Sequence, residues 1–77
     1  MTNATTQAIA AESQRRRIPS EWLIEFESMT NEELAWFAST ALKDVTRAYC
    51  GWELEYREAF GIDVTMGDNG ELKRVKG

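Results

Sequence analysis

The chain has 77 residues and a formal charge of −4, from 13 acidic and 9 basic residues, with no histidine and one cysteine. That length makes one small domain, 1–77, near the lower limit for a self-sufficient core. A lone Cys50 excludes an intrachain disulfide, and the missing histidine removes both the usual zinc ligand and the commonest general base.

Disulfide and metal being excluded, association with itself or with another chain is the remedy left for so small a core. A free thiol fits a reducing cytoplasm. At the N-terminus the basic residues follow the apolar ones, the wrong order for a secretory signal. No apolar run approaches the roughly 18 residues that span a membrane. The expectation is a cytoplasmic protein, off the membrane, with no metal and no cofactor.

Residues 1–17 are rich in Ala, Thr and Gln, and Ile9 is their one large aliphatic side chain after Met1. Propensity favours a helix over about 4–17, with Arg15, Arg16 and Arg17 at the negative end of its dipole. It has little to bury, so it reads as a weakly docked helix or a flexible arm. Pro19 and Ser20 then punctuate the chain, Ser20 as a candidate N-cap. A short amphipathic helix follows, ending near Met29, with Trp22, Phe26 and Met29 on one face and Leu23 beside it.

Thr30 to Glu33 reads as a capping box, in which the Thr30 hydroxyl and the Glu33 carboxylate each satisfy a backbone amide of the first turn. Apolar residues then recur without a slip of phase from Leu34 to Phe60, on a sector about 140° wide. One amphipathic helix over about 31–60 is the economical expectation, roughly 45 Å long. Its large residues repeat at eleven more faithfully than at seven, which drives no left-handed supercoil. Gly61 suits a left-handed terminator. In the tail, 64–66 and 72–75 flank Gly67-Asp68-Asn69-Gly70, and its Asn-Gly signals a hairpin. The fold class is therefore mainly α with a small C-terminal β-hairpin.

Catalytic chemistry has few carriers. Cys50 has no imidazole to activate it and reads as a small buried hydrophobe or an incidental thiol. Glu53, Glu55 and Glu58 read as a solvated face, and Glu53 with Arg57 as an i,i+4 ion pair. No P-loop, dinucleotide fingerprint or EF-hand loop is present. An enzyme is not expected.

Binding surfaces are better marked. Trp36 and Leu54 lie 18 residues apart, hence at one helix angle about 160° from Leu34, with Cys50, Lys43 and Arg47 nearby. Either another part of the chain covers them or a partner does. Glu21, Glu25, Glu27, Glu32 and Glu33 fall in a stretch, 18–42, that holds no Lys or Arg, and could present one negative field to a cationic partner. Trp36, Lys43, Arg47, Cys50 and Leu54 with Glu21, Glu25, Glu32 and Glu33 form the candidate partner surface. The stripe residues Leu34, Ala38, Ala41, Val45, Tyr49, Gly51, Trp52 and Tyr56 form the candidate homodimer surface. Gly51 reads as a crowded contact point there, because a helix-interior glycine costs about 1 kcal/mol against alanine. The nucleic-acid alternative rests on Arg15, Arg16, Arg17, Lys73, Arg74 and Lys76 as phosphate contacts.

In size, acidity, helix content and lack of catalytic groups, the chain resembles the small proteins with which bacteriophages and other mobile elements disable or redirect a host machine. That resemblance implies a non-enzymatic inhibitor of a protein or nucleoprotein, a host-takeover or anti-defence role, acting in the host cytoplasm. An assembly chaperone or virion component is the third class.

Overall fold

A computed structural model of the chain describes residues 4–76, with side chains from residue 7. The element order is α1 (Ala4–Arg16), α2 (Ser20–Phe26), α3 (Asn31–Thr40), α4 (Asp44–Ala59), β1 (Ile62–Met66) and β2 (Leu72–Lys76). The protein is mainly α with a two-stranded antiparallel hairpin.

The N-terminal segment is helical over most of the expected span, and residues 1–3 lie outside the described residues. α1 closes with Arg17 in the left-handed region at φ 57°. The Ile18 amide reaches back to the Ser13 carbonyl at 3.3 Å, the six-to-one bond of a Schellman ending. That reversal drives Ile18 into the core, where it is 1 % exposed. Ile9 packs against the same core, so the helix is docked. Pro19, not Ser20, holds the N-cap position of α2 and makes no side-chain cap. α2 buries Leu23 and Phe26, and Trp22 and Met29 pack beside them.

Residues 31–60 are divided. α3 starts on the expected capping box: Thr30 Oγ1 accepts from the Glu33 amide at 3.0 Å and Glu33 Oε1 accepts from the Thr30 amide at 3.1 Å. The helix stops at Thr40, and residues 41–43 turn the chain back into α4. A single helix of roughly 45 Å would exceed the molecule's longest extent of 35 Å.

Local chemistry makes the break without Pro or Gly. Ser39 Oγ and Thr40 Oγ1 donate to carbonyls of the preceding turn, a competition that weakens helix propagation. Arg47 donates to the Ala41 and Leu42 carbonyls at 2.5 and 3.3 Å and pairs with Asp44. It thereby caps α3 from within α4. Asp44 in turn suits the positive end of the α4 dipole.

The two helices run antiparallel, since Asn31 meets Arg57 and Ala38 meets Gly51. The fold-back changes which side of α4 is inside. Val45, Trp52 and Phe60, on the apolar stripe, are 43–54 % exposed, whereas Cys50, Glu53 and Arg57 are buried. At 100° per residue the buried face lies about 100° round the helix from the apolar stripe. Glu53 is accordingly not on a solvated face, although Glu55 and Glu58 are exposed.

Burial of Arg57 is possible because every direction of its guanidinium meets an acceptor. It is 0 % exposed and donates to Glu53 Oε2 at 2.8 Å, the Met29 carbonyl at 2.8 Å, Asn31 Oδ1 at 2.8 Å and the Phe26 carbonyl at 2.6 Å. Glu53 Oε1 also takes a bond from Arg16 at 2.6 Å. Asn31 continues the chain of bonds to the hairpin, donating to the Ile62 carbonyl and accepting from the Val64 amide, both at 3.1 Å. One polar network thus joins α1, the end of α2, α3, α4 and β1. Among the described residues, no buried side-chain N or O lacks a partner.

Gly61, at φ 67°, ends the helical run as expected. The hairpin pairs Met66 with Leu72 and closes through residues 67–71, with Gly70 at φ 82° and its amide on the Gly67 carbonyl at 3.0 Å.

Candidate functional site

A surface concavity runs between the first turns of α3 and the outer edge of β1. It encloses about 670 Å³ and is lined by residues 30–33, Trp36, Phe37 and residues 63–66. The capping box fixes its floor, because it orients the first turn of α3. Asn31 fixes its width, because its carboxamide ties that turn to β1. Trp36 stands on one wall at 60 % exposure, held edge-on against Phe37 with ring centroids 5.1 Å apart. Met66, 56 % exposed, forms the opposite rim. The charged lining is Glu32, Glu33 and Asp63, and among the described residues no Lys or Arg lines the groove. Its field is negative, and its apolar surface holds two aromatic rings and one thioether, a combination suited to a cationic, partly apolar ligand.

Of the expected partner surface, the fold brings together Trp36, Glu32 and Glu33. Glu21 and Glu25 are exposed on α2, and Lys43 is exposed at the α3–α4 turn. Arg47 is occupied as the cap of α3. Cys50 and Leu54 leave the surface. Cys50 is 1 % exposed and Leu54 packs on the core cluster. With the helix broken at 41–43, an 18-residue separation no longer means a shared face. Burial pushes the Cys50 thiol above its ordinary value, and the Glu53 charge adds to that. It is therefore held as the unreactive thiol.

The expected homodimer surface divides in the same way. Leu34 is fully buried, and Ala38 packs against the core and faces Gly51 within the chain. Ala41 lies in the turn. Val45, Tyr49, Trp52 and Tyr56 remain as a partly exposed stripe on α4. Tyr49 joins it to Trp22, with centroids 5.2 Å apart, and to Trp52 at 5.5 Å. Tyr56 is covered on one side by the Arg16 guanidinium, 4.1 Å from its ring centroid. Gly51 is not crowded. A β-carbon there would sit 3.9 Å from the Ala38 β-carbon, an ordinary contact.

The basic clusters do converge, since Arg16 and Arg74 line one cleft of about 440 Å³. The same cleft holds Glu12, Glu27 and Glu53. Arg15 pairs with Glu12, Arg16 with Glu53 and Arg74 with Glu27. Arg17, Lys73 and Lys76 are exposed. The cleft is thus charge-compensated and offers a phosphate little net attraction.

Seven lining residues of the groove escaped the sequence reading as site residues, Thr30, Asn31, Phe37, Asp63, Val64, Thr65 and Met66. Met66 was assigned only to a strand, and Asn31 only to a helix start. An Asn immediately after a Thr N-cap is a usable signal, since its side chain projects from the first turn toward whatever packs there. Among the described residues no helix is long and apolar enough to cross a membrane, and no group of three or more Cys, Asp or Glu side chains is placed to hold a metal ion. Comparison with protein-family models, curated proteins and solved structures finds no match. The geometry alone carries the functional reading.

Proposed function

We propose that this protein is a non-enzymatic interaction protein that takes a segment of a protein or nucleoprotein partner into the α3–β1 groove. It inhibits or redirects that partner by covering a functional surface, as its resemblance to small phage and mobile-element proteins implies. The observation that carries the reading is the groove itself: an open, acid-lined concavity with Trp36 exposed on its wall. Tryptophan is among the side chains enriched at the energetic centres of interfaces. Affinity capture from the source cell's extract tests it. Wild-type protein should retain a stoichiometric partner that Trp36→Ala loses. Equal recovery by both would refute the groove as the binding site.

A second copy on the α4 stripe is a companion reading, favoured by Val45 and Trp52 standing 43 % and 47 % exposed on one helix face. Sedimentation equilibrium should then show a dimer that Trp52→Ala weakens. A monomer at high micromolar concentration would remove this reading without touching the groove.

A further inference from the structure

The outer edge of β1 is only partly used. The Gly67 amide donates to the Glu71 carbonyl at 2.6 Å, so in this register the pairs 67/71, 65/73 and 63/75 exchange ladder bonds. Antiparallel alternation then turns the backbone groups of Ile62, Val64 and Met66 away from β2. The bonds to Asn31 agree, since its carboxamide takes the Ile62 carbonyl and the Val64 amide. Asn31 therefore occupies the edge as one residue of a neighbouring parallel strand would. One step further along, the Val64 carbonyl and the Met66 amide form the same acceptor–donor pair, and both residues line the groove, Val64 at 2 % exposure and Met66 at 56 %.

We infer that the groove receives its partner by strand addition: an extended segment alternating basic and apolar residues pairs with the Val64 carbonyl and the Met66 amide of β1. This rests on the groove being the binding site and specifies how it binds. Main-chain bonds to an open edge supply affinity in such recognition, and alternate side chains supply specificity. The side chains facing the groove would meet Trp36, Phe37 and Met66, while cationic ones meet Glu32, Glu33 and Asp63. Charge complementarity selects the basic occupant, because the lining carries three carboxylates and no cation. The other edge of the hairpin is differently built. β2 is exposed throughout and carries Lys73, Arg74 and Lys76, the charges that discourage edge pairing. Among Val64, Thr65 and Met66 there is no such guard.

The test uses the full chain, isotope-labelled for NMR, with three short synthetic peptides. One alternates lysine and valine, one alternates glutamate and valine, and one is the lysine–valine peptide with alternate backbone amides methylated. The expected result is binding of the first alone, with shifts at Trp36 and residues 64–66 and slowed hydrogen exchange of the Met66 amide. Methylation should weaken binding by about tenfold or more, the loss of one or two main-chain bonds. Met66→Pro should do likewise. It deletes the outward donor and leaves the β1–β2 ladder intact, which unchanged exchange of the Thr65 amide would verify.

Binding at the groove that ignores both methylation and Met66→Pro overturns strand addition and leaves the groove as a binding site. Absence of lysine–valine binding, or equal binding of the glutamate peptide, overturns the basic extended occupant. Concentration-dependent protection of the Met66 amide without peptide would mean that a second copy fills the edge, and also overturns it. Failure of the groove reading itself is registered separately, by partner capture that survives Trp36→Ala.

Discussion

At the scale of single residues, Arg57 decides the most. Breaking a buried ion pair by removing one partner typically costs about 3–5 kcal/mol, because the remaining groups stay buried and unsatisfied. Here the orphans would be the Phe26 and Met29 carbonyls and part of Glu53. A domain of this length holds roughly 4–12 kcal/mol in total, so Arg57→Ala should remove about a quarter of that stability or more, read as a large fall in the urea midpoint. The spacing of Glu53 and Arg57 was legible in the sequence as an ion pair. Its burial was not, since the acceptors come from the end of α2, far away along the chain.

Gly51 makes the opposite prediction. With 3.9 Å of clearance to Ala38, Gly51→Ala should stabilise by about 0.5–1 kcal/mol through helix propensity and raise the melting temperature by a few degrees. A lower melting temperature would restore the crowded-contact reading. Cys50 adds a pH dependence. The folded state keeps its proton more tightly than the unfolded chain, whose value lies near 9.0. The native state thus binds more protons above that pH, and the associated stability, complete below about 9, is lost as pH rises further. Alkylation at pH 8 should be negligible in the native protein and rapid in urea, and the urea midpoint should fall above pH 9.

At the scale of elements, signals carried by a few adjacent residues were readable. The Thr30–Glu33 box, the Asn-Gly turn and the Gly61 terminator act through contacts within a few residues, so spacing alone reveals them. The division of residues 31–60 was masked by an apolar phase that runs unbroken across it. Ser39-Thr40 and the Asp44–Arg47 pair were its local marks, but each is common inside helices. What decides is the gain from folding α4 back onto α3, which buries Leu34, Cys50 and the Arg57 network together.

The same fold-back explains why the candidate site was only partly legible. Trp36, Glu32 and Glu33 lie on α3 upstream of the break and kept their place on the surface. Cys50 and Leu54 lie downstream and changed sides. Asn31 is the element-level test, as its carboxamide is the side-chain link from α3 to the β1 edge. Asn31→Ala should cost about 1–3 kcal/mol, the penalty of leaving buried partners unmet. Hydrogen exchange should speed first at Val64, ahead of the α3 and α4 amides. Uniform acceleration across the chain would contradict a specific hairpin link.

For the molecule as a whole, a short chain has spent its few large side chains on two tasks. Ile18, Leu23, Phe26, Leu34 and Cys50 close a small core, and a polar network anchored on Arg57 holds the elements around it. Trp36, Trp52, Phe60 and Met66 stay about half exposed, outside that core. The acidic balance of −4 becomes a directed feature at the groove, where carboxylates rim an aromatic wall with no cation among them.

The most direct test places a photoreactive phenylalanine analogue at Trp36 in one variant and at Leu42 in another, the latter being 97 % exposed and outside the groove lining. Each variant is irradiated in complex with the captured partner. Crosslinks from position 36 to a basic segment of the partner, with none from position 42, are the predicted result. Crosslinks from position 42 and none from position 36 would contradict the groove as the place where this protein binds.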